Sequence, residues 1–543
     1  MIKQTLALLA LLTSLATLHV AATEMPVYKP NVIIVLTDDQ GYGDVSALNP
    51  EAKFKTPNLD RLVNEGVTFT HAHCADSVCT PSRYGLLTGR YPWRTERKRG
   101  VMEAEEKCMI VDGRMTLANL FKEKGYHTAM VGKWHLGMDF PGTETNRDWS
   151  KPILDMPLDK GFDYFYGIPA SLNFGILAWF EGRTAEVPPT LYTNKKDNSR
   201  HSDYRIMPPY NPTPAHAEEY QKKNMKGFEV APDFIDNLCL TRFTDKAIEW
   251  MRGKTADAKS RKPFFLYLPY TSPHYPVCPL PAFHGKGEAG AYGEFVIETD
   301  YHVGRILEFL KTAGLDQDTL IVYTSDNGPE KSWPERLKQY GHDSRGALKE
   351  GKRSVYEGGH RVPFMVRWPQ GIKEPGRRWN KPVGQVDLLA TFADLLGAKL
   401  PETAGEDSQS FAQVLLDPKA DYERLPLITH GNGDPDYRYA VTEGDWKLIL
   451  PGAKGSRREL YKLSTDRAET KNVASVYPEK VAQLEARISE IVAKGRTTPG
   501  AVQANDTGYW NDLVWMTAEQ YNKQAKRRGD EMQKRSQAEV HHE

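Results

Sequence analysis

The chain has little cysteine and no surplus of charge. Five cysteines in 543 residues do not form a staple framework, and Cys79 has no neighbour at the C-x-x-C spacing of a redox or zinc site. Cys74, five positions back, is the nearest; Cys74, Cys108, Cys239 and Cys278 would make up to two bridges or sit buried, and the sequence leaves both open. Lysine plus arginine and aspartate plus glutamate both number 71, so no overall field points to nucleic acid or to an anionic membrane. Internal repeats are absent as well.

A long apolar run occurs at the start and not again as a candidate membrane segment. MIKQTLALLALLTSLATLHVAATE carries one basic residue, Lys3, apolar residues from Leu6, and small residues at Ala21 and Ala22. It reads as a secretory signal peptide over residues 1–22. Thr13, Ser14, Thr17 and His19 interrupt it, it is short for a span of about 20 residues, and no cysteine follows to take a lipid. The expected location is periplasmic or secreted, with no membrane anchor.

What remains is an ordinary globular composition, 40% hydrophobic and 10% aromatic, long enough for one large domain and a smaller one. NVIIVLTDD (31–39) is a continuous apolar, β-branched run, the mark of a strand buried on both faces. TPNLDRLVNEG reads as a helix with Thr56 as its cap, Pro57 in its first turn and Gly66 as its stop. Three more apolar strands, within HTAMVGKWH, KPFFLYLPYTSPH and DTLIVYTSDNG, alternate with helical patterns. The fold class expected is α/β, with a large, mostly parallel sheet flanked by helices. Each of the four strands ends in acids, amides, lysines or histidines, and the carboxyl edge of an open α/β sheet is where ligands bind.

The main domain is assigned to residues 28–430. Residues 431–497 read as a C-terminal α+β subdomain with an antiparallel sheet and the helix YPEKVAQLEARISEIVAKG. Residues 498–543 read as a polar extension whose charge-dense end is solvated or disordered.

Asp38, Asp39, Asp326 and Asn327 offer only oxygen, which selects a hard cation such as Ca²⁺ or Mg²⁺ over zinc. Lys133, His135, His274 and Lys352 around such a cation would clamp an oxyanion and move protons to a leaving group. Phosphoryl or sulfuryl transfer fits that set.

CTPSRYGLLTGR, residues 79–90, matches C-x-P-S-R-x-x-L-x-T-G-R, and with it the chain resembles the formylglycine-dependent (type I) sulfatases of the alkaline phosphatase superfamily. NVIIVLTDDQGYGD, GKWHLG, GFDYFYGIPAS, SDNG, YEGGHRVP and ELYKLSTDRAETKNVA extend the resemblance over nearly the whole mature chain, which is similar to the arylsulfatase A-like group. The resemblance implies that a formylglycine-generating maturation enzyme oxidises Cys79 to 3-oxoalanine. It implies a calcium site of Asp38, Asp39, Asp326, Asn327 and the modified Cys79. Arg83 would hold the aldehyde hydrate, and His135 would contact its second hydroxyl. Lys133, Ser171, His274 and Lys352 would contact sulfate. One hydroxyl of the hydrate attacks sulfur while His274 or Lys133 protonates the departing alcohol. Loss of the other hydroxyl's proton to His135 then expels sulfate.

The substrate expected is a sulfated carbohydrate or an aryl sulfate, with the pocket around its alcohol part shaped by residues 142–230, which include Trp179, Phe180, Arg183 and His201. A phosphodiester or phosphonate hydrolase of the same superfamily and an inactive sulfated-glycan-binding homologue are the alternatives.

Overall fold

The computed structural model describes residues 26–143, 146–193, 228–433 and 437–525. The proposed signal peptide, His201 and the charge-dense end of the chain lie outside these ranges.

Five strands carry the molecule: β1 (Asn31–Asp38), β2 (His127–Lys133), β3 (Tyr164–Ile168), β4 (Phe264–Pro273) and β5 (Thr319–Ser325). They are parallel and lie side by side in the order β5-β1-β4-β2-β3. β1 is flanked on both sides, with Val32 opposite Phe265 of β4 on one side and Leu320 of β5 on the other. Every residue of β1 is buried, because helices cover both faces of such a sheet and leave no solvated side on which polar residues would alternate. The sheet is extended beyond β5 by the antiparallel β6 (Phe364–Arg367) and by short strands at Val67–Phe69 and Arg377–Trp379. Beyond β3 it continues through an antiparallel pair, Phe180–Glu181 and Thr184–Ala185. The five parallel strands thus form the core of the sheet and are flanked on both sides by antiparallel pairing, although the outermost strand, Arg377–Trp379, is again parallel to its neighbour.

The helix Pro57–Glu65 runs from Thr56 to Gly66 as its sequence predicts. The helix that matters most to the site, α1 (Cys79–Thr88), starts on the signature cysteine and is buried along its whole length. α2 (Cys239–Lys259) precedes β4, and α3 (Gly290–Thr312) joins β4 to β5.

A second, antiparallel sheet is made by β7 (Leu427–His430), β8 (Tyr439–Glu443), β9 (Trp446–Ile449) and β10 (Glu459–Lys462), with α4 (Pro478–Lys494) against it. Its first strand lies before residue 431, so the sheet begins inside the stretch assigned to the main domain. A buried ionic network joins the two units. Lys447 on β9 reaches Glu357 at 2.9 Å and Glu469 at 2.8 Å, and Arg361 reaches the same Glu357 at 3.0 Å.

The first part of the extension assigned to residues 498–543 packs onto the fold: Trp510, Leu513, Trp515, Met516 and Tyr521 are buried against Tyr91, Trp93 and Tyr439. Their apolar side chains are spaced too irregularly to read as an element, yet together they cover a hydrophobic face of the second sheet. Trp179 packs into the core against Phe234 and Phe243, Phe180 is buried in its strand, and Arg183 is spent on an ion pair with Asp159. Among the described residues, which include all five cysteines, no disulfide forms and every cysteine is buried.

Candidate active site

All four polar strand ends converge, since neighbouring parallel strands deliver their carboxyl ends to one edge. Asp38 ends β1 and Asp39 follows it, Asp326 and Asn327 follow β5, Lys133 ends β2 with His135 just beyond, and His274 follows β4. Asp39 (φ 66°) and His135 (φ 57°) adopt left-handed backbone, a conformation uncommon outside glycine that clusters at functional sites. Gly328 lets the SDNG turn meet the YEGG segment: a Cβ there would lie 1.8 Å from the Gly358 carbonyl oxygen.

The hydrogen bonding divides each acid in two. Lys133 Nζ donates to Asp38 Oδ2 at 2.5 Å, and Lys352 Nζ to Asp39 Oδ1 at 2.5 Å. Asn327 Nδ2 donates to the same Asp39 oxygen at 2.7 Å. Asp38 Oδ1, Asp39 Oδ2 and Asn327 Oδ1 are buried with no hydrogen-bond partner among the described residues. Asp326 is fully engaged: its Oδ2 accepts two bonds from Arg83, at 2.7 and 3.0 Å, and its Oδ1 accepts the Asp39 backbone N–H at 3.2 Å. The remaining Arg83 group donates to the Lys133 carbonyl at 3.0 Å.

Cys79 lies at the start of α1 and is 2% exposed. Its sulfur and one oxygen each from Asp38 and Asp326 lie within 4.8 Å of one another, and so do ligand atoms of Asp38, Asp39 and His274. Burial raises the thiol's pKa above its ordinary value, and Lys133 and Lys352 only partly oppose that. A thiol in this state is a poor nucleophile.

The carboxylates are held unequally. Burial pushes Asp38 up, but Lys133, Arg83 and Lys352 outweigh it and hold the group below its usual range. Asp39 is raised to about 7 by burial and by Asp38, Glu330 and Asp326, with Lys352 opposing. Both histidines are driven well down, first by burial and then by nearby cations: Lys133 and Arg83 for His135, Lys352 and Lys133 for His274. His135 Nε2 donates to the Met102 carbonyl at 2.9 Å, leaving Nδ1 buried and unpartnered. His274 Nδ1 donates to the Tyr275 carbonyl, and its Nε2 faces Asp39 Oδ2 at 3.7 Å. Each neutral ring therefore presents a lone pair.

Ser171 follows β3 with its buried Oγ unpartnered among the described residues, on the same sheet edge as the others. Sequence reasoning passed over Glu330 and Arg353. Glu330 lies three residues after Asn327, Arg353 follows Lys352, and their side chains pair at 2.5 Å. Met102 was also missed: its backbone N–H donates to Thr80 Oγ1 at 3.1 Å while its carbonyl holds His135. Nothing in its side chain signals a role carried by the backbone.

The family model described as Sulfatase matches residues 30–398, and that described as N-sulphoglucosamine sulphohydrolase, C-terminal, matches residues 350–496. The N-acetylgalactosamine-6-O-sulfatase of Bacteroides thetaiotaomicron is 33% identical over 503 residues, covering 85% of this chain and 93% of that protein. Human steryl-sulfatase is 32% identical over 422 residues, covering 71% of this chain and 70% of its own. A solved sulfatase structure, described with the metabolism of multiple glycosaminoglycans by B. thetaiotaomicron, superposes with a TM-score of 0.72 at 31% identity, covering 85% of this chain and 99% of that one. By the extent of these matches the chain belongs to the sulfatase family, and the reaction is the hydrolysis of a sulfate ester.

Proposed function

We propose that the chain is an exported sulfatase acting on a sulfated carbohydrate, with Cys79 oxidised to formylglycine and a calcium ion held by Asp38, Asp39, Asp326, Asn327 and residue 79. The observation that carries this reading is the set of three buried, unpartnered acceptor oxygens, one each from Asp38, Asp39 and Asn327, in the cluster that contains Cys79. Buried acceptors without donors are costly, and a hard cation with oxygen ligands answers that cost. Export rests on the N-terminal segment, and the carbohydrate on the bacterial relative's substrate.

Bound calcium would supply positive charge to the sulfate, and the hydrated aldehyde a nucleophilic hydroxyl with a second hydroxyl beside it. Lys133 and Lys352 place two ammonium groups where the sulfate's charge lies, and Ser171 offers a hydroxyl to it. Arg83 holds Asp326 in place through its two bonds. His135 Nδ1, bare and facing inward, suits acceptance of the second hydroxyl's proton. His274 also presents a lone pair, so it gives a proton to the leaving alcohol only once protonated, a form that the charge of bound sulfate favours.

The test uses enzyme made with and without a formylglycine-generating system. Only the oxidised form, lighter at residue 79 by the difference between a thiol and an aldehyde, should turn over 4-nitrophenyl sulfate and sulfated sugars. Chelation should abolish that turnover, and calcium should restore it where zinc does not. Activity in a fully unmodified thiol form, or faster turnover of a phosphonate or phosphodiester, would displace the proposal.

A further inference from the structure

The HAH of residues 71–73, just ahead of the signature segment, takes no part in the chemistry at Cys79. Its histidines stand two apart at the short strand Ala72–His73, a spacing that puts both side chains on one face. Their ring centroids are 4.9 Å apart. Glu357 of the YEGG segment closes that face: His71 Nε2 lies 3.9 Å and His73 Nε2 4.0 Å from its Oε2. Ligand atoms of all three residues fall within 4.8 Å of one another. His73 and Glu357 are fully buried, and His71 is 6% exposed.

Each ring is locked so that Nε2 presents a lone pair. His360 Nε2 lies 2.8 Å from the Val355 carbonyl, which only accepts, so that nitrogen carries the proton. Lys447 Nζ, 3.2 Å from the same nitrogen, finds no lone pair there. His360 Nδ1 is then the acceptor for His73 Nδ1–H at 2.8 Å, and His73 Nε2 is left bare. The Asn380 backbone carbonyl accepts the other ring N–H of His71. Neither Nε2 has a hydrogen-bond partner among the described residues. Burial keeps both rings neutral, driving His71 down to about 3 and His73 well below its ordinary value. A histidine with one nitrogen tied down as a donor and the other bare is set up to bind a metal.

Glu357 is also the partner of Arg361 and Lys447, but neither cation depends on it alone. Lys447 has Glu469 at 2.8 Å, and Arg361 Nε donates to the Thr70 carbonyl at 2.8 Å. With Glu469 ionised, two acids offset two bases around the rings. A metal-bound carboxylate that also accepts hydrogen bonds is the usual arrangement.

We infer that His71, His73 and Glu357 form a second metal site, for a divalent ion of the zinc class, with water as a fourth ligand and distinct from the calcium site proposed above. Two imidazole nitrogens and one carboxylate oxygen are donors that such an ion selects and calcium does not. Tetrahedral zinc sets its ligand atoms about 3.4 Å apart, so the pairs at 3.9 and 4.0 Å close by only about half an ångström. The ion ties the segment leading into Cys79 to the one following Lys352, alongside the bond from the Cys74 N–H to the His360 carbonyl at 2.9 Å. Enclosed as it is, the site is structural.

The experiment titrates oxidised, chelator-stripped wild type with Zn²⁺ in excess calcium, which keeps Asp38 and Asp39 engaged, alongside His71→Gln and His73→Gln. Wild type should bind one zinc per chain, and each variant should bind it about 100-fold or more weakly, an effect no smaller than the loss of a ligand's own hydrogen-bond partner. Zinc should raise the melting temperature of wild type and leave those of the variants in place. Co²⁺ bound to wild type should give the intense visible absorption of a four-coordinate ion, a readout that needs no variant to fold. Wild type that binds no zinc in excess calcium, or binds it no more tightly than the folded variants, would overturn the inference. The weak absorption of six-coordinate Co²⁺ would overturn it too, reducing the cluster to a hydrogen-bonded core. None of these readouts uses turnover, so they decide the ion independently of the sulfatase reading.

Discussion

His274 and Lys352 stand side by side above Asp39, and their chemistry separates them. A sugar alkoxide leaves poorly without a proton, whereas 4-nitrophenolate leaves unaided. If His274 is the donor, His274→Ala should cost about 10²- to 10⁴-fold in kcat/KM on a sugar sulfate and far less on 4-nitrophenyl sulfate. Lys352→Ala should hurt both alike, since the charge it meets belongs to the sulfate itself. Equal losses for His274→Ala would assign the proton to Lys133. His274 and Lys133 were legible in the sequence because they stand at the ends of apolar strands, which sort themselves onto one edge, and Lys352 because it stands in the GKRSVYEGG segment. Glu330 and Met102 were not. Glu330 lies on an irregular loop with no periodicity to anchor it, and Met102 acts through backbone atoms that every residue shares.

At the level of elements, the continuous apolar runs declared β1, β4 and β5, and the acids behind them followed. α3 hides a less visible fact. Glu298 sits wholly buried on this helix with Oε2 on the Leu280 N–H, and burial raises it to about 8. The folded state therefore holds a proton that the unfolded chain releases near 4.5. Its contribution is fully present below that value and is lost as pH rises toward 8, by a few kcal/mol at most. Glu298→Gln should thus gain stability relative to wild type in denaturant titrations at pH 8 and show no such gain at pH 4.5. A pH-independent difference would mean that the carboxyl is ionised in the fold. Neither the burial of Glu298 nor that of Trp179 could be read from sequence, because both depend on what packs against them.

Over the whole molecule, the last described segment braces the wall of the active site. Asn505 accepts from Arg94 at 3.0 Å and Asp506 from Arg90 at 2.8 Å. Asp512 pairs with Arg99, and the Lys98 ammonium lies 4.2 Å from the Trp510 ring centroid. The chain continues from there to Met102, which holds His135. Deleting residues 498–543 should lower the melting temperature by several degrees, since each buried aromatic or aliphatic side chain there is worth about 1.5–3 kcal/mol. It should also depress kcat where the soluble protein survives. An unchanged melting curve would show that the segment merely rests on the surface.

The Lys447 junction has a consequence for ancestry and for engineering. Its ammonium is the buried counter-ion of two carboxylates, one contributed by the YEGG segment and one by the C-terminal unit. Removing one partner of such a cluster leaves an uncompensated charge in a low dielectric, at about 3–5 kcal/mol. The C-terminal unit therefore cannot be traded between relatives as a cassette. A chimera that joins the catalytic sheet to a foreign second sheet keeps Glu357, paired only with Arg361, and loses stability unless the donor brings a cation to the place of Lys447.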